Sequence, residues 1–590
     1  MKTHTAWNLT LLYKGTTDPQ IEKDLVAIER ACGLFERTYK GTAFTVSPTS
    51  LAKALHDREE LTIKLNGNKP WWYFALQSDL NSDDTVASAL ATKYEQRITV
   101  ATNRVTFFNL AIAKIPQKDH PKFLKDPVLE PYRYQLSRIF KQATFNLSEG
   151  EEQLENLLAQ SSYTMWIDAQ ERVLNQQTIQ HKGKTIPIVE AMAKLADLPK
   201  KDRKIVHEKI AVTLKSISSM SEAELNAVYN YKKIMDARRG YEKPYSETIL
   251  GYENDEQSIE RFVDLITKHF KIGHRFYALH AKLLGDTTIT MADRGVTIGK
   301  ITTTFDFATS VSMLRSVLGK IDPEYATCFD TMLTNGQIDV YPKQGKRGGA
   351  YCWGMGQLPT FLLLNHTNDV RSLETLAHEM GHAIHTELSK QQPARYQHYS
   401  TATAEVASTF FEQLISEEIA VHLPKKEQRI LLHNRIRGDI TTIFRQIACF
   451  NFERDLHAAI RQEGQVSKEA IAALMARHLK SYVGKAVTVT DDDGYYYVCW
   501  SHIRRFFYVY TYAYGQLISR ALYQNWQQDQ SYAAKIKQFL SAGRSMSPED
   551  IFKSIGIDTS KASFFEAGLN SIEKDIDRLE ELSEPTSKRG

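Results

Sequence analysis

Two histidines and a glutamate in one short segment have the residue types and spacing of a zinc site. The letters HEMGH occupy residues 378–382. Residues four apart lie on the same face of an α-helix, so His378 and His382 can both bind one zinc ion. Glu379 follows the first histidine directly and is placed to accept a proton from a water that zinc activates. The segment therefore predicts a zinc hydrolase with Glu379 as its general base.

A catalytic zinc needs a third protein ligand as well as an open position. Glu405 is the first choice, because the small side chains of residues 402–409 let its helix approach the zinc helix closely. Glu412 shares its helix face and is the second choice. Glu374 lies one turn before His378. There it either accepts a hydrogen bond from an imidazole or a neighbour, or faces solvent as an ordinary helix glutamate.

An aromatic run late in the chain offers a second set of groups for catalysis. Residues 500–515 read WSHIRRFFYVYTYAYG. Attack of water on a peptide bond creates an oxyanion, and tyrosine hydroxyls and histidine N–H groups are suitable donors to that charge. A run of tyrosines is also typical of core or interface packing. The spacing alone leaves both interpretations open.

The elements that must position these groups are mostly helical. Strand patterns are few and precede the zinc segment, at residues 338–341, 350–354 and 361–364. A polar turn over residues 365–369 then leads into apolar residues at the spacing of a buried helix face. We therefore predict a mostly α fold with a small β-sheet next to the zinc helix.

Composition bounds the class of protein and its partners. Of the residues, 42% are hydrophobic and 24% are charged, as in ordinary soluble globular proteins. The net charge of +4 is no signature of nucleic-acid binding. Five cysteines without a C-x-x-C pair indicate reduced thiols. The chain start lacks a signal-peptide pattern, and no apolar stretch approaches the ~20 residues that cross a bilayer. We expect a cytoplasmic protein that binds neither nucleic acid nor membrane.

The length allows more than one domain. At 590 residues the chain can hold several cores. We place a boundary near residue 200, which divides the chain into an N-terminal helical lobe, residues 1–200, and a catalytic domain, residues 201–590. The sequence carries no signal of oligomeric state.

Several motifs together resemble those of oligoendopeptidase F and the related thimet-oligopeptidase-like zinc metallopeptidases. Residues 339–351 read DVYPKQGKRGGAY, close to the family pattern D-x-Y-P-x-x-G-K-R-x-G-A-Y. The segments WNL at 7–9, LSEGEE at 147–152 and RGY at 239–241 also have counterparts. The zinc helix, the AEVAST helix and the late histidine and tyrosines follow in family order. The resemblance covers nearly the whole chain.

This resemblance implies a two-lobed helical metallopeptidase with a deep substrate channel and one zinc ion per chain on the channel floor. Short unstructured peptides would be its substrates, since the channel walls would exclude folded proteins. In such enzymes Glu379 would be the general base and acid. The zinc ligands would be His378, His382 and Glu405.

The resemblance also implies groups that contact the substrate. Transition-state donors would be His502 and Tyr510, with Tyr508 as a neighbour. The chain departs from the family pattern here, with Ser501 in place of a proline, which leaves the donor tyrosine open. The strand that pairs with substrate backbone would be formed by Gly348, Gly349, Ala350 and Tyr351.

Two other functions use parts of the same pattern. A zinc carboxypeptidase or dipeptidyl carboxypeptidase would need a cation for the substrate's terminal carboxylate, and Arg347, Arg504 and Arg505 are available. An inactive peptide-binding protein is the alternative of a different class. The intact zinc motif and its third ligand argue against that second alternative.

Overall fold

The structure is a computed structural model, and it describes residues 3–81 and 83–584 of the chain. About 71% of the chain is helical and 3% is strand, so the predicted mostly α class is confirmed. In these described residues the α-helices are, in chain order, α1 Pro19–Tyr39, α2 Pro48–Leu65, α3 Lys69–Leu80, α4 Thr85–Asn103, α5 Phe107–Ala113, α6 His120–Lys125, α7 Arg133–Ala143, α8 Glu149–Ala159, α9 Met165–Asn175, α10 Ile188–Ala193, α11 Lys200–Ser216, α12 Ser218–Arg239, α13 Ser246–Gly251, α14 Glu256–Lys268, α15 Lys271–Leu283, α16 Phe307–Ile321, α17 Pro323–Asn335, α18 Val370–Ser389, α19 Thr401–His422, α20 Lys425–Asp439, α21 Gln446–Glu463, α22 Lys468–Val483, α23 Tyr510–Gln528, α24 Ala533–Ser541, α25 Pro548–Ser554 and α26 Ala562–Glu581.

Short strands form three small sheets within the same described residues. The strands are β1 Thr178–His181, β2 Lys184–Pro187, β3 Ile289–Thr290, β4 Ile338–Asp339, β5 Tyr351–Trp353, β6 Phe361–Leu363 and β7 Val487–Thr488. β1 and β2 pair antiparallel, and β3 and β7 pair parallel. The third sheet has the order β4-β6-β5, in which β6 is parallel to β4 and antiparallel to β5.

The third sheet lies directly before the zinc helix, as the sequence predicts. Its central strand β6 is wholly buried, and the Trp7 indole Nε1 donates to the Leu362 carbonyl at 2.7 Å. The three strands are shorter than predicted. After β4 the Val340 N–H donates to the Thr5 carbonyl instead of to a strand of this sheet. Pro342, two residues later, has no N–H to donate, so β4 cannot continue there.

Helix α18 begins where the polar turn predicted it. The Asp369 side chain accepts a hydrogen bond from the Ser372 backbone N–H at 2.8 Å, which satisfies one of the free donors of the first turn. The helix packs on β5 and β6 through buried apolar residues at the expected spacing, among them Leu373, Leu376 and Met380. The zinc segment is therefore held on a packed helix.

The chain contains two compact units, each made of three segments. The first comprises Met1–Thr144, Thr303–Ile419 and Leu522–Ile557. The second comprises Phe145–Thr302, Ala420–Ala521 and Asp558–Gly590. The lobe boundary near residue 200 stays a prediction. None of the helices in the described residues has the length and apolar character that a membrane crossing requires.

Candidate metal centre and active site

Helices α18 and α19 bring the predicted ligands together within the first unit. The imidazole rings of His378 and His382 lie 5.1 Å apart between centroids. Glu405 Oε2 lies 3.6 Å from His378 Nε2 and 3.8 Å from His382 Nε2. One ligand atom of each of the three residues lies within 4.8 Å of the others. Two imidazole nitrogens and a carboxylate oxygen at such separations fit the donor set of a catalytic zinc ion.

Close contact between the two helices depends on Gly381. A Cβ atom at this position would lie 2.7 Å from the Ser408 Cα and 3.0 Å from the Ala407 carbonyl oxygen of α19. The backbones are therefore packed more tightly than any other residue at 381 would allow. The Ser408 hydroxyl also donates to Glu405 Oε2 at 3.0 Å. The predicted close approach of the two helices is confirmed, and it places the Glu405 carboxylate beside both imidazoles.

Glu412 contacts the other side of the first imidazole. Its Oε2 accepts a hydrogen bond from His378 Nδ1 at 2.9 Å, which requires the proton to be on Nδ1 and leaves Nε2 directed toward Glu405. Burial disfavours the charged form of His378, but the hydrogen bond and charge of Glu412 outweigh burial and raise its pKa. Burial lowers the pKa of His382 to about 4. Glu412 is thus placed to orient a ligand, the arrangement common around metal-binding histidines.

Glu379 is more buried than its neighbours in the cluster, with 7% of its surface exposed. Burial raises its pKa to about 7, although the nearby His378 acts in the opposite direction. A carboxyl group with a pKa near neutrality can both accept and donate a proton at working pH. A bound cation would lower this value. The position and environment of Glu379 suit a general base.

Glu374 and His385 are further titratable side chains of helix α18. Glu374 is half-buried one turn before His378, and its part in orienting a ligand stays a prediction. His385 is 1% exposed and its ring stacks on Tyr399 at 3.7 Å between centroids. Burial lowers the pKa of His385 to about 3, so this third histidine of the helix is a neutral core residue.

The segment predicted to pair with substrate ends in β5, an edge strand of the three-stranded sheet. Gly348 and Gly349 are exposed, and Ala350 and Tyr351 are half-buried. Gly349 has a φ of +78°, which favours glycine, and Asn365 Nδ2 donates to its carbonyl at 2.7 Å. An exposed edge with small side chains is able to pair with an extended peptide. Substrate binding by these residues stays a prediction.

The aromatic run belongs to the second unit, and its tyrosines differ in environment. Tyr510 is fully buried, and its hydroxyl donates to Asn254 Oδ1 at 2.9 Å. Tyr508 and Tyr512 are half-buried, and their rings lie 5.5 and 5.9 Å from that of His502. The Tyr508 hydroxyl and the His502 ring nitrogen Nδ1 form a hydrogen bond. Catalytic roles for Tyr508, Tyr510 and His502 stay predictions, but the burial of Tyr510 favours Tyr508 as the donor.

A buried carboxylate that was not predicted from the sequence contacts the backbone of this aromatic run. Phe506 and Phe507 both have left-handed backbone conformations, with φ of 47° and 61°. Glu453, fully buried on α21, accepts the Phe507 backbone N–H at 2.8 Å. Burial raises the pKa of Glu453 to about 8. It therefore fixes the strained backbone just before Tyr508. The sequence gives no signal of this, because the two residues are 54 positions apart.

An H-E-x-x-H helix whose two histidines lie beside a glutamate as third ligand is typical of zinc metallopeptidases. The model of peptidase family M3 matches residues 225–571, and that of oligopeptidase F matches residues 112–173. The chain belongs to peptidase family M3. It is a metalloendopeptidase, and its substrates are peptides.

Curated relatives and solved structures extend over almost the whole chain. Oligopeptidase PepF of Bacillus subtilis is 27% identical over 99% of this chain and 88% of its own. Group B oligopeptidase PepB of Streptococcus agalactiae is 24% identical over 98% of this chain and 96% of its own. A crystal structure from Chlamydophila abortus covers 98% of each chain at 20% identity, with a TM-score of 0.86. That of oligoendopeptidase-F from Enterococcus faecium covers 95% of this chain and 98% of its own, at 18% identity, with a TM-score of 0.69. The resemblance to the oligoendopeptidase F family is confirmed.

Proposed function

We propose that this chain is a zinc-dependent oligoendopeptidase that hydrolyses internal bonds of short unstructured peptides. The observation that carries the proposal is the cluster of His378, His382 and Glu405 on two tightly packed helices, with Glu379 buried beside it. The relatives named oligopeptidase and oligoendopeptidase support the size class of the substrate.

In the proposed mechanism His378, His382 and Glu405 would hold one zinc ion, which would supply a Lewis acid for the scissile carbonyl and would lower the pKa of the attacking water. A carboxylate oxygen of Glu379 accepts a proton from that water and later donates it to the leaving amine. Glu412 keeps the His378 ring oriented through its hydrogen bond to Nδ1. The strand edge at residues 348–351 pairs with the extended substrate backbone.

We further propose Tyr508 as the donor to the oxyanion, with His502 as the residue that positions it. The half-buried side chain of Tyr508 supports this role, since a donor must reach a substrate, whereas the Tyr510 hydroxyl is enclosed and bound to Asn254. In this arrangement the His502 Nδ1–H donates to the Tyr508 oxygen, which leaves the Tyr508 O–H for the oxyanion and fixes the two groups relative to each other. Fixed donors stabilise developing charge without reorganisation during the reaction.

The carboxypeptidase alternative has little support from the three arginines that the sequence offered. Arg347 Nη1 lies 3.2 Å from a carboxylate oxygen of Asp79. Arg504 is buried and donates through Nε and Nη2 to both carboxylate oxygens of Glu224, at 2.9 Å each. Two of the three cations are thus already paired with carboxylates. We therefore favour internal cleavage, in which no cation has to hold the substrate's end.

A cytoplasmic location is part of the proposal. All five cysteines are free, and burial raises the pKa of the Cys328 and Cys499 thiols to about 12, which keeps them unreactive. Reduced, scattered thiols are typical of proteins from reducing compartments.

Metal content and turnover together test the proposed function. The purified protein should contain one zinc ion per chain, should cleave an internally quenched fluorescent peptide, and should lose turnover with a chelator. His382→Ala should lose both zinc and turnover, because two remaining ligands bind weakly. His56→Ala, an exposed histidine of α2, serves as the matched control and should keep both. A His382→Ala protein with stoichiometric zinc and normal turnover would sink the assignment, and a zinc-loaded wild type without turnover would indicate a peptide-binding protein.

A further inference from the structure

A second site lies in the other unit, in a cavity of about 370 Å³ that three arginine side chains line. Arg437 and Arg445 come from one continuous helical stretch, in which α20 and α21 are joined by a π-helical turn over Ile440–Arg445. Arg294 comes from the segment after β3. Short π-helical turns inside α-helices often occur at functional sites. The metal ligands take no part in this cavity.

None of these positive charges is neutralised by an acidic side chain. Arg294 contacts the Tyr482 hydroxyl at 3.3 Å, Arg437 donates to a backbone carbonyl, and Arg445 donates to the Tyr496 hydroxyl at 2.7 Å. Among the residues that the structure describes, no carboxylate oxygen lies within 4.0 Å of any of the three guanidinium groups. Arginine is charged at any physiological pH. Three such charges around one cavity repel one another, and an anion in the cavity would offset that repulsion.

Other arginines of the same unit show that this pattern is not general. Arg203, Arg504 and Arg520 are buried, and each has a carboxylate partner at 3.0 Å or less. The second unit thus pairs its interior arginines with acids and leaves the cavity arginines without them. An arrangement of this kind is expected where a ligand supplies the negative charge.

The donors suit phosphate. Guanidinium groups match the oxygens of phosphate in pairs of parallel hydrogen bonds. The Arg445 Nε is buried without a hydrogen-bond partner, so it retains a donor for a ligand. Tyr277 and Thr442, which carry neutral hydroxyl groups, line the same space. We infer that this cavity binds a small molecule that carries a multiply charged phosphate group. The volume lies in the range of small-molecule sites, so both inorganic phosphate and a nucleotide fit this chemistry.

Isothermal titration calorimetry on the zinc-loaded protein at fixed ionic strength tests the inference and separates the two sources. We expect inorganic phosphate, ADP or both to bind one site per chain with a Kd of about 1 mM or below. An ADP affinity at least tenfold above that of phosphate would identify a nucleotide, and equal affinities would identify free phosphate. Arg294→Ala and Arg437→Ala should each weaken binding at least tenfold. Arg477→Ala removes the same charge from an exposed position of α22 outside the cavity and should leave the affinity unchanged.

Hydrogen–deuterium exchange on the wild type gives a measurement that does not depend on the stability of any variant. Added ligand should protect residues 294–295 and 437–445, together with Tyr482 at the end of α22, and leave α1 of the first unit unchanged. Absence of saturable binding up to about 10 mM of either ligand would overturn the inference. So would an equal loss of affinity in Arg477→Ala, or protection confined to α18 and α19, which would mean that the anion binds at the metal centre instead.

Discussion

At the scale of single residues, Glu405 and Glu379 are two glutamates of the metal cluster with different proposed roles. Glu405→Ala should lose zinc, since it removes a ligand, and should therefore lose turnover. Glu379→Gln should keep one zinc ion per chain and lower kcat at least about a hundredfold, which is the lower end of the range for general acid–base catalysis. Zinc analysis of the dialysed variants, combined with kcat on one quenched peptide, checks both expectations.

Glu412 provides the comparison for this pair. Glu412→Ala removes the acceptor for His378 Nδ1 and should weaken zinc binding about 10- to 100-fold without abolishing it, as losses around metal ligands do. Glu412→Gln can still accept that hydrogen bond through its amide oxygen and should recover much of the affinity. A Glu412→Ala protein without zinc, together with a zinc-loaded Glu405→Ala protein, would exchange the roles of the two residues.

Single substitutions also distinguish Tyr508 from Tyr510 as the donor to the oxyanion. Tyr508→Phe should lower kcat about a hundred- to thousandfold with little change in KM, because an oxyanion donor acts mainly in the transition state. Tyr510→Phe should keep most of its kcat and lose about 1–3 kcal/mol of stability, because it leaves the buried Asn254 oxygen without its donor. Steady-state kinetics and denaturant unfolding of the two variants measure these effects.

The His502→Ala variant extends the same comparison. It should lower kcat in the same direction as Tyr508→Phe, since the two side chains share a hydrogen bond and His502 is proposed to hold the Tyr508 hydroxyl in place. If Tyr510→Phe loses its turnover and Tyr508→Phe does not, Tyr510 is the donor, as the family resemblance implies.

At the scale of elements, the contact between α18 and α19 determines the metal site. Gly381→Ala places a methyl group within 2.7 Å of the Ser408 Cα, so the helices must separate by some tenths of an ångström. Glu405 moves with α19, and zinc affinity should fall although no ligand is changed. Overpacking of this kind typically costs about 1–3 kcal/mol of stability. Competition with a calibrated zinc chelator and thermal melting test the expectation.

A second helical glycine provides the control for backbone propensity. Gly319 is exposed on α16, where an added Cβ would meet only the Ala326 Cβ at 3.8 Å, an ordinary contact. Gly319→Ala should therefore keep zinc affinity and gain roughly 0.5–1 kcal/mol, as alanine does over glycine within helices. If both variants bound zinc equally well, the close packing at Gly381 would have no bearing on the metal site.

The segment before Tyr508 depends on α21 through Glu453, and this dependence gives a pH signature. The folded-state pKa of Glu453 is raised to about 8 from an unfolded value near 4.3, so the folded protein binds this proton more tightly. Its contribution to stability is full below pH ~4.3 and is lost as the pH rises toward 8. Glu453→Gln has no charge to bury, so its stability relative to wild type should increase between these values, by up to roughly 1.4 kcal/mol per pH unit.

Melting temperatures from pH 5 to 9 provide the test. The difference between Glu453→Gln and wild type should grow up to about pH 8 and then level off. Glu463→Gln, at the exposed end of the same helix, should show a flat difference over this range. A difference for Glu453→Gln that shrinks as the pH rises would mean that the native carboxylate is ionised and stabilised, contrary to its buried environment.

At the scale of the whole molecule, local patterns predicted the mostly α class and the elements around the metal cluster. The i, i+4 histidines, the Asp369 cap and the apolar runs act over a few residues, so the zinc helix and its sheet were evident from the sequence. The position of Glu405 beside the two histidines was predictable because small neighbours signal close helix packing. Each of these signals lies within one element or between two successive ones.

Features made by distant parts of the chain could not be predicted in this way. Glu453 reaches Phe507 across 54 positions, and the arginine cavity combines Arg294 with side chains more than 140 positions away. The environments of Tyr508 and Tyr510 also differ, although the two residues are only two positions apart. Which side of a helix or loop faces the interior is decided by tertiary packing, and an aromatic run carries the same residue types on both sides.

Cleavage of end-blocked peptides tests the function of the molecule as a whole. A peptide of about ten residues with a C-terminal amide should be cut internally at a rate close to that of its free acid, because Arg347 and Arg504 are engaged by Asp79 and Glu224 and no cation has to hold the terminus. Arg505→Ala removes the remaining cation of the three and should leave the KM for the free acid unchanged. A carboxypeptidase would leave the amidated peptide intact, and its KM for the free acid would rise in that variant. Mass spectrometry of the products decides between these outcomes, and a folded protein added as a competing substrate should survive while the peptide is consumed.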